Sequence, residues 1–350
     1  MGAMAGSGSV QTVLGPVAPN ALGITLPHEH LLCDLGPRFV EPADAEGRAL
    51  SNQPVSLANL RWVRRHYLSN HDNIVLDDEQ VAIEEAGLFT AAGGGTIVDA
   101  GSIGIRPDPL ALRRISEATG LHVVAATGYY TEDFHPSDMD ARSEDELTEE
   151  IVRDLRDGIG ETGVRAGIIG EVGCSWPLHP NERKSLRAAA RAQRETGAPI
   201  SIHPGRDQAA PFEILEILAA AGADPARVVI GHIERTEFEP GDLVRLARTG
   251  CYVEFDWFGE VLSMYPTGPV NVPSDTERID QIRMLIGEGN ADQVLASHDV
   301  CLKTRLERYG GGGYGHIPRD VTTWMAAKGM SADEIDLIVR RNPQRMLAIG

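Results

Sequence analysis

Two histidines near the start of the chain, His28 and His30, stand one residue apart within an apolar run. Residues 23–26 and 31–33 predict a strand around them. Because side chains alternate across a strand with a period of two, both imidazoles point to one face, which is a metal-chelating arrangement. The alternative is that both are ordinary core or surface histidines. Further ligands at the ends of other strands decide between these interpretations.

Ligand-type residues end nearly every later apolar run of the sequence. They are Asp99, Tyr129 with Thr127, Glu171, His203, His232, Asp256 and Asp299. The set holds more histidines and carboxylates than one zinc-type ion uses, and so predicts two metal ions. A carboxylate can bridge two ions about 3.5–4 Å apart, and a hydroxide held between them is a nucleophile at neutral pH.

Each of these residues also has a structural interpretation when it is taken singly. A histidine such as His203 is more often a hydrogen-bonded structural residue, Asp299 can cap a helix, and Glu171 can pair with an arginine. Their conjunction favours the metal centre, because so many ligand types at the same end of different strands are improbable by chance. His298 is a weaker candidate, since it alternates with Asp299 and is predicted to face the other way.

The elements that must position these side chains alternate regularly between helix and strand. Capping residues and apolar periodicity predict helices over 77–92, 107–119, 143–158, 180–196, 210–221, 240–248 and 274–288, with strands at 96–99, 122–127, 166–172, 199–203, 228–232, 251–255 and 293–297. With the strand of His28, this pattern predicts an α/β fold, a (β/α)₈ TIM barrel whose chemistry lies at the carboxyl ends of the strands. An open doubly wound sheet is the alternative, but no Gly-x-Gly-x-x-Gly turn follows the first strand.

Composition sets limits on the partners and the location of the protein. The 51 acidic and 32 basic residues give a net charge of −19, which argues against nucleic acid or an anionic membrane surface as a partner. No apolar run approaches the roughly 20 residues of a membrane helix. Four well-separated cysteines predict a reduced, cytoplasmic protein. Residues 1–12 are predicted to be a tag or disordered tail, and residues 13–350 are predicted to form a single domain. A long polar insertion follows the first strand of this domain and is a candidate lid.

Five motifs of the sequence resemble, in order and spacing, the phosphotriesterase-like branch of the amidohydrolase superfamily. They are Thr25-Leu26-Pro27-His28-Glu29-His30, Gly170-Glu171-Val172-Gly173, Ile202-His203-Pro204, Ile230-Gly231-His232 and Ser297-His298-Asp299. The similarity extends over nearly the whole chain. The organophosphate-degrading members carry a carboxylated lysine at the position of Glu171. The glutamate of this sequence resembles instead the phosphotriesterase-related and phosphotriesterase homology proteins. The insertion at 54–87 and the Gly-rich loop at 302–315 agree with that placement.

This resemblance implies a barrel with a binuclear metal centre and a homodimeric assembly. His28 and His30 would bind a buried metal together with Asp299, whereas His203 and His232 would bind a more exposed one. Glu171 would bridge the two ions. The resemblance favours zinc, although manganese, cobalt and iron suit the same ligands.

The mechanism expected for such a site is hydrolysis by a metal-bridging hydroxide. Asp299 accepts the proton as general base, and the exposed metal polarises the substrate oxygen. Tyr129 or Tyr130, just past the third strand, is predicted to donate a hydrogen bond to that oxygen. Asp256 and Trp257 are predicted to contact the substrate, and Trp257 replaces a histidine of the organophosphate hydrolases.

The last loop is predicted to select the substrate. Lys303, Arg305 and His316 flank a flexible Gly-rich segment and can close over an anionic group, and the alternative is that they are solvated loop charges. Three functions follow: a hydrolase of carboxyl esters, lactones or N-acyl amides, an organophosphate triesterase, or a binding protein on the same barrel. Glu171 and Trp257 disfavour the second, and the intact ligand set disfavours the third.

Overall fold

Eight parallel strands paired in chain order form the centre of the protein. The structure is a computed structural model that describes residues 8–106, 108–236, 239–262, 264 and 271–350. The barrel strands are β1 (Ile24–Glu29), β2 (Gly94–Asp99), β3 (His122–Thr127), β4 (Ile168–Gly173), β5 (Ile200–His203), β6 (Val228–Ile230), β7 (Tyr252–Phe255) and β8 (Val294–Ala296). The predicted (β/α)₈ barrel is confirmed.

Helices connect successive strands and pack outside the sheet. They are Ala45–Ser51, Leu60–Arg65, Glu79–Ala91, Pro109–Thr119, Glu144–Arg156, Pro180–Thr196, Ala210–Ala220, Pro240–Ala247, Asp275–Gly287, Thr322–Ala327, Ala332–Asp336 and Asn342–Leu347, with π-helical turns at Ile317–Val321 and Leu337–Arg341. The predicted capping box at Ser143 is confirmed, because Ser143 and Glu146 each bind the other's backbone N–H. Pro107, the predicted start of the second helix, lies outside the described residues. Among the helices that are described, none is long and apolar enough to cross a bilayer.

The long insertion after β1 is attached to the loop that follows β8. Its strand Cys33–Asp34 pairs antiparallel with Val75–Leu76, which brings both ends of the insertion together. The Asn73 carbonyl accepts a hydrogen bond from Lys303 N (2.9 Å), and the Asn73 side chain accepts one from Thr304 N (3.0 Å). These two segments therefore form one wall above the carboxyl end of the barrel.

Ser297 joins β8 to β1, the two ends of the strand order. Its Oγ accepts a hydrogen bond from His28 N (3.1 Å) and lies 2.8 Å from both His28 O and Glu29 Oε1, one of which accepts its hydrogen. Asp299 N also donates to His28 O (3.2 Å). Side-chain and loop hydrogen bonds thus close the barrel directly beneath the histidine pair.

Replacing Ser297 by alanine is expected to lower the free energy of unfolding by about 1–3 kcal/mol, because a buried backbone N–H loses its acceptor. Urea unfolding followed by circular dichroism measures this loss. Ser185→Ala is the matched control: Ser185 is also fully buried, but its Oγ has no hydrogen-bond partner in the described part of the chain. Equal losses in the two variants would show that Ser297 does not stabilise the seam.

The amino-terminal segment corrects one prediction. The sequence predicts a tail through residue 12, but Val10–Thr12 forms an antiparallel hairpin with Gly15–Val17. Val10 is buried in a cluster with residues of the barrel strands, and Val13 N donates to Val123 O (2.9 Å) at the start of β3. The Gly/Ser-rich composition of the preceding residues masked this short apolar alternation. The hairpin therefore covers the amino-terminal end of the barrel.

Candidate metal centre

The two histidines of the first motif converge on two carboxylates. His30 Nε2 lies 3.4 Å from Glu171 Oε1 and 3.4 Å from Asp299 Oδ1. His28 Nε2 lies 3.5 Å from Glu171 Oε2 and 3.9 Å from Asp299 Oδ1. It is a buried nitrogen with no hydrogen-bond partner within the described residues. An imidazole nitrogen that faces carboxylate oxygens without hydrogen bonding to them is placed as a metal ligand would be.

The second histidine pair lies on the other side of Glu171. His203 Nδ1 lies 2.8 Å and His232 Nε2 3.2 Å from Glu171 Oε2, and the two nitrogens are 2.9 Å apart. The carboxylate of Glu171 therefore stands between the imidazoles at the end of β1 and those of His203, which ends β5, and His232, which follows β6. A group shared in this way can bridge two cations.

Two overlapping sets of residues have the spacing that a metal ion needs. Their ligand atoms lie within 4.8 Å of one another, and the sets are His28 with His30 and Asp299, and His28 with Glu171 and His232. His232 and Asp299 both have positive φ, 52° and 53°. Positive φ is uncommon outside glycine, so these two strand ends hold their side chains in a conformation that the surrounding fold must stabilise.

Charge in the cluster favours bound cations. Burial lowers the pKa of His30, but the carboxylates of Asp299 and Glu171 outweigh it and raise the pKa to about 10. Burial raises the pKa of Glu171, but the imidazoles of His203 and His28 outweigh it and hold the pKa well below its usual range. A divalent ion supplies the same positive charge without imidazole protons, so metal binding at this cluster would release protons.

Asp256 was predicted to contact substrate, and the structure assigns it a different contact. It is fully buried, and its Oδ2 accepts a hydrogen bond from His232 N (2.8 Å). Its Oδ1 lies 2.8 Å from His232 Nδ1 and accepts a hydrogen from that nitrogen. Asp256 therefore orients the His232 imidazole and leaves Nε2 to face Glu171.

Two buried glutamates that support the histidines were missed from the sequence. Glu254 Oε2 lies 3.3 Å from His28 Nδ1, and period two on β7 relates Glu254 to Asp256. Glu29 lies between the motif histidines and accepts hydrogen bonds from His298 N and Val300 N, each at 2.9 Å. His298 itself contacts Glu29 through Nδ1 (2.7 Å), so it faces away from the cluster, as predicted.

The two tyrosines after β3 have different positions. Tyr129, predicted as a catalytic hydrogen-bond donor, donates its hydroxyl hydrogen to Glu150, which pairs with Arg142 (2.6 Å). Its side chain therefore points toward helix Glu144–Arg156 and away from the cluster. The hydroxyl of Tyr130 instead lies 3.0 Å from His203 Nδ1. Tyr130, not Tyr129, belongs to the candidate site.

A cavity of about 290 Å³ opens above the cluster, between the insertion and the last loop. Its wall includes five residues at or near the cluster: Tyr130, His203, Trp257, Asp299 and Arg305. The rest of the described wall consists of Leu35, Arg38, Val40, Arg64, Tyr67, Leu68, Arg206, Arg235, Gly259, Glu260, Val261, Leu262, Cys301, Leu302, Thr304 and Gly311. The guanidinium of Arg305 lies 5.5 Å from the Trp257 ring centre. The structure thus places three of the predicted substrate contacts, Tyr130, Trp257 and Arg305, at this cavity.

Two other predicted substrate contacts lie elsewhere. Lys303 Nζ lies 2.6 Å from Asp72 Oδ1 and does not line the cavity. His316 lies 2.7 Å from Asp275 Oδ2 and 2.9 Å from Asp320 Oδ2, also outside the cavity wall. Each side chain has a carboxylate partner that local sequence does not reveal, and contact of either residue with substrate stays a prediction. Arg305 is paired as well, with Glu260 Oε2 at 2.6 Å.

A parallel (β/α)₈ barrel with four imidazoles and two carboxylates at one mouth defines a hydrolase of the metal-dependent barrel class. The chain belongs to the phosphotriesterase family, whose model matches residues 8–347.

Two similar proteins and a solved structure agree with this assignment. The chain is 41% identical over 343 residues to the N-acetyltaurine hydrolase of Homo sapiens, covering 97% of this chain and 98% of that protein. It is 43% identical over 345 residues to a phosphotriesterase-related protein of Nematostella vectensis, covering 97% and 99%. The crystal structure of a resiniferatoxin-binding protein from Rhodobacter sphaeroides matches with a TM-score of 0.95 at 36% identity, covering 98% of this chain and 96% of that one. The predicted resemblance to phosphotriesterase-related proteins is confirmed.

Proposed function

We propose that this protein is a binuclear metal-dependent amidohydrolase that cleaves the N-acyl amide bond of a small anionic substrate, with N-acetyltaurine as the first candidate. The observation that carries the proposal is the position of Glu171. Its Oε1 faces His30, and its Oε2 faces His203 and His232, so one carboxylate is shared by two histidine pairs. The name of the human relative supplies the substrate class.

The residues of the cluster fit two divalent cations. One ion would be held by His28, His30 and Asp299, and the other would be held by His203 and His232. Glu171 would be a ligand of both ions. Imidazole and carboxylate ligands suit zinc, manganese, cobalt and iron alike, and zinc is the first candidate. When bound, such ions supply Lewis acidity that polarises a carbonyl and makes water nucleophilic near neutral pH.

The side chains around the cluster then have distinct tasks. Asp299 accepts the proton of the attacking water and returns it to the amine as the C–N bond breaks, which releases a carboxylate and an amine. Tyr130 faces the cavity beside His203, where its hydroxyl donates a hydrogen bond to the oxygen of the tetrahedral intermediate. Asp256 fixes the tautomer of His232.

The charge of the cavity wall supports an anionic substrate. The chain as a whole carries a net charge of −19, yet the described residues of the cavity wall include five arginines and two carboxylates. These are Arg38, Arg64, Arg206, Arg235 and Arg305 against Glu260 and Asp299. A cavity of opposite sign to the rest of the surface concentrates small anions at its mouth.

A substrate panel measured with and without metal tests the proposal. Purified protein is loaded with zinc, its metal content is measured by mass spectrometry, and it is assayed with N-acetyltaurine, a neutral lactone and a neutral phosphotriester. We expect N-acetyltaurine to be hydrolysed with the highest kcat/KM, and the rate to fall at least about 100-fold after chelation and return on adding metal. A rate that survives complete chelation would refute the metal mechanism, and a preference for the lactone or the triester would refute the substrate class.

A further inference from the structure

Arg235 is a buried arginine in the cavity wall with no carboxylate partner in the described part of the chain. Its side chain is 5% exposed. Within the described residues, its side chain makes one hydrogen bond, from Nη2 to Pro204 O (3.0 Å), and its Nε is buried without a partner. A buried charge that lacks a counter-ion is costly to the fold, so its retention calls for an explanation.

The nearest carboxylate in the sequence does not neutralise Arg235. Glu234 Oε1 accepts hydrogen bonds from Arg278 Nε (3.0 Å) and Trp257 N (3.0 Å). Arg278 is fully buried and also pairs with Asp275 (2.7 Å). Glu234 therefore belongs to a buried network with Arg278, and Arg235 is left beside the cavity.

The position of Arg235 relates it directly to the proposed metal ligands. It lies three residues after His232, on the short turn Ile233–Arg235, and its hydrogen bond to Pro204 O attaches it to the residue that follows His203. Other arginines of the wall are already engaged. Arg38 pairs with Asp133 (2.9 Å) and donates to Thr131 Oγ1 (2.7 Å), and Arg305 pairs with Glu260.

We infer that Arg235 binds the anionic group on the amine side of the substrate and so sets the specificity of this site for N-acyl amides that carry a sulfonate or carboxylate. The inference rests on the proposed function. A planar guanidinium held by one backbone carbonyl keeps its other N–H groups for an oxyanion, which it binds with paired hydrogen bonds. The substrate would supply the negative charge that the fold does not.

The test compares anionic and neutral amides in zinc-loaded protein. Arg235→Gln is expected to raise KM for N-acetyltaurine about 100-fold, the loss expected for a charged hydrogen bond, and to change kcat/KM for neutral N-butylacetamide by less than about threefold. Arg235→Lys keeps the positive charge but not the paired N–H donors of the guanidinium, so an intermediate rise in KM for N-acetyltaurine is expected. N-acetyl-β-alanine in parallel shows whether the carboxylate or the sulfonate is preferred, and either preference supports the inference. Equal losses on anionic and neutral amides would overturn it.

Arg227→Gln is the matched control, because the Nε of Arg227 is also buried without a partner among the described residues, but this side chain donates to Ala348 O (2.7 Å) and lies outside the cavity wall. Its ratio of anionic to neutral kcat/KM is expected to stay within about threefold of wild type. A control ratio that falls as far as that of Arg235→Gln would show that the loss of any buried arginine has this effect, and would also overturn the assignment.

Thermal unfolding gives a readout that does not need catalysis. Removing an unpaired buried charge is expected to leave Tm unchanged or to raise it, whereas the loss of a structural residue would lower it. Millimolar 1-propanesulfonate is expected to raise the Tm of the wild type and not that of Arg235→Gln. If no N-acyl amide is hydrolysed but this difference persists, the anion site stands and the proposed reaction fails. If amides are hydrolysed and both proteins respond alike to the sulfonate, the anion site fails and the reaction stands.

Discussion

Replacing Glu171 by glutamine is expected to lower kcat/KM by about 1000-fold or more and to reduce the bound metal, because the proposed bridging ligand is lost. The amide keeps the shape of the side chain but carries no charge to offset two cations. Metal analysis after gel filtration and steady-state kinetics measure the two effects. Excess zinc in the assay is expected to restore part of the activity, since weakened metal binding is the main cause of the loss.

Glu182→Gln is the matched control for this variant. Glu182 is also a fully buried glutamate, and it accepts hydrogen bonds from Ser175 N and His179 N, each at 2.9 Å. It belongs to a helix cap and not to the cluster, so we expect lower stability with full metal content. If Glu171→Gln kept its metal and its rate, Glu171 would not be a bridging ligand.

Replacing Asp299 by asparagine is expected to lower kcat by about 1000-fold while KM changes little, because an amide cannot accept the proton of water. Asp299 lies 3.4 Å from His30 Nε2 and at the cavity wall, the two contacts that a ligand and general base requires. Steady-state kinetics with N-acetyltaurine measure the loss. Because Asp299 is both a proposed ligand and the proposed proton acceptor, excess metal is expected to restore the bound ion but not the proton transfer, so this variant should recover less than Glu171→Gln.

Asp275→Asn separates this effect from a general loss of a buried carboxylate. Asp275 is also largely buried, but it contacts His316 (2.7 Å) and Arg278 (2.7 Å) away from the histidine cluster. This variant is expected to unfold at lower denaturant concentration and to keep the wild-type kcat. A rate for Asp299→Asn within tenfold of wild type, at full metal content, would assign the proton transfer to another group.

The sequence by itself determined the barrel and the strand ends at which its histidines and carboxylates lie. Apolar strands, capping residues and glycine stops are local signals, so the predicted elements match the observed ones to within a few residues. Once the strands are parallel and closed in a ring, His28, His203 and His232 must meet at one mouth. The topology itself brings together ligand types that lie far apart along the chain.

Tertiary structure alone decided which polar side chains near that mouth contribute to the cavity. Lys303 and Asp72 are 231 residues apart, and nothing local in either segment predicts their pairing. Tyr129 and Tyr130 are adjacent, yet one contacts a helix and the other lies beside His203. Such partners depend on which segments pack together, and burial of a charge such as Arg235 is known only after every neighbour is in place. Sequence periodicity predicts the position of a residue on its helix or strand, whereas long-range packing decides which groups its side chain contacts.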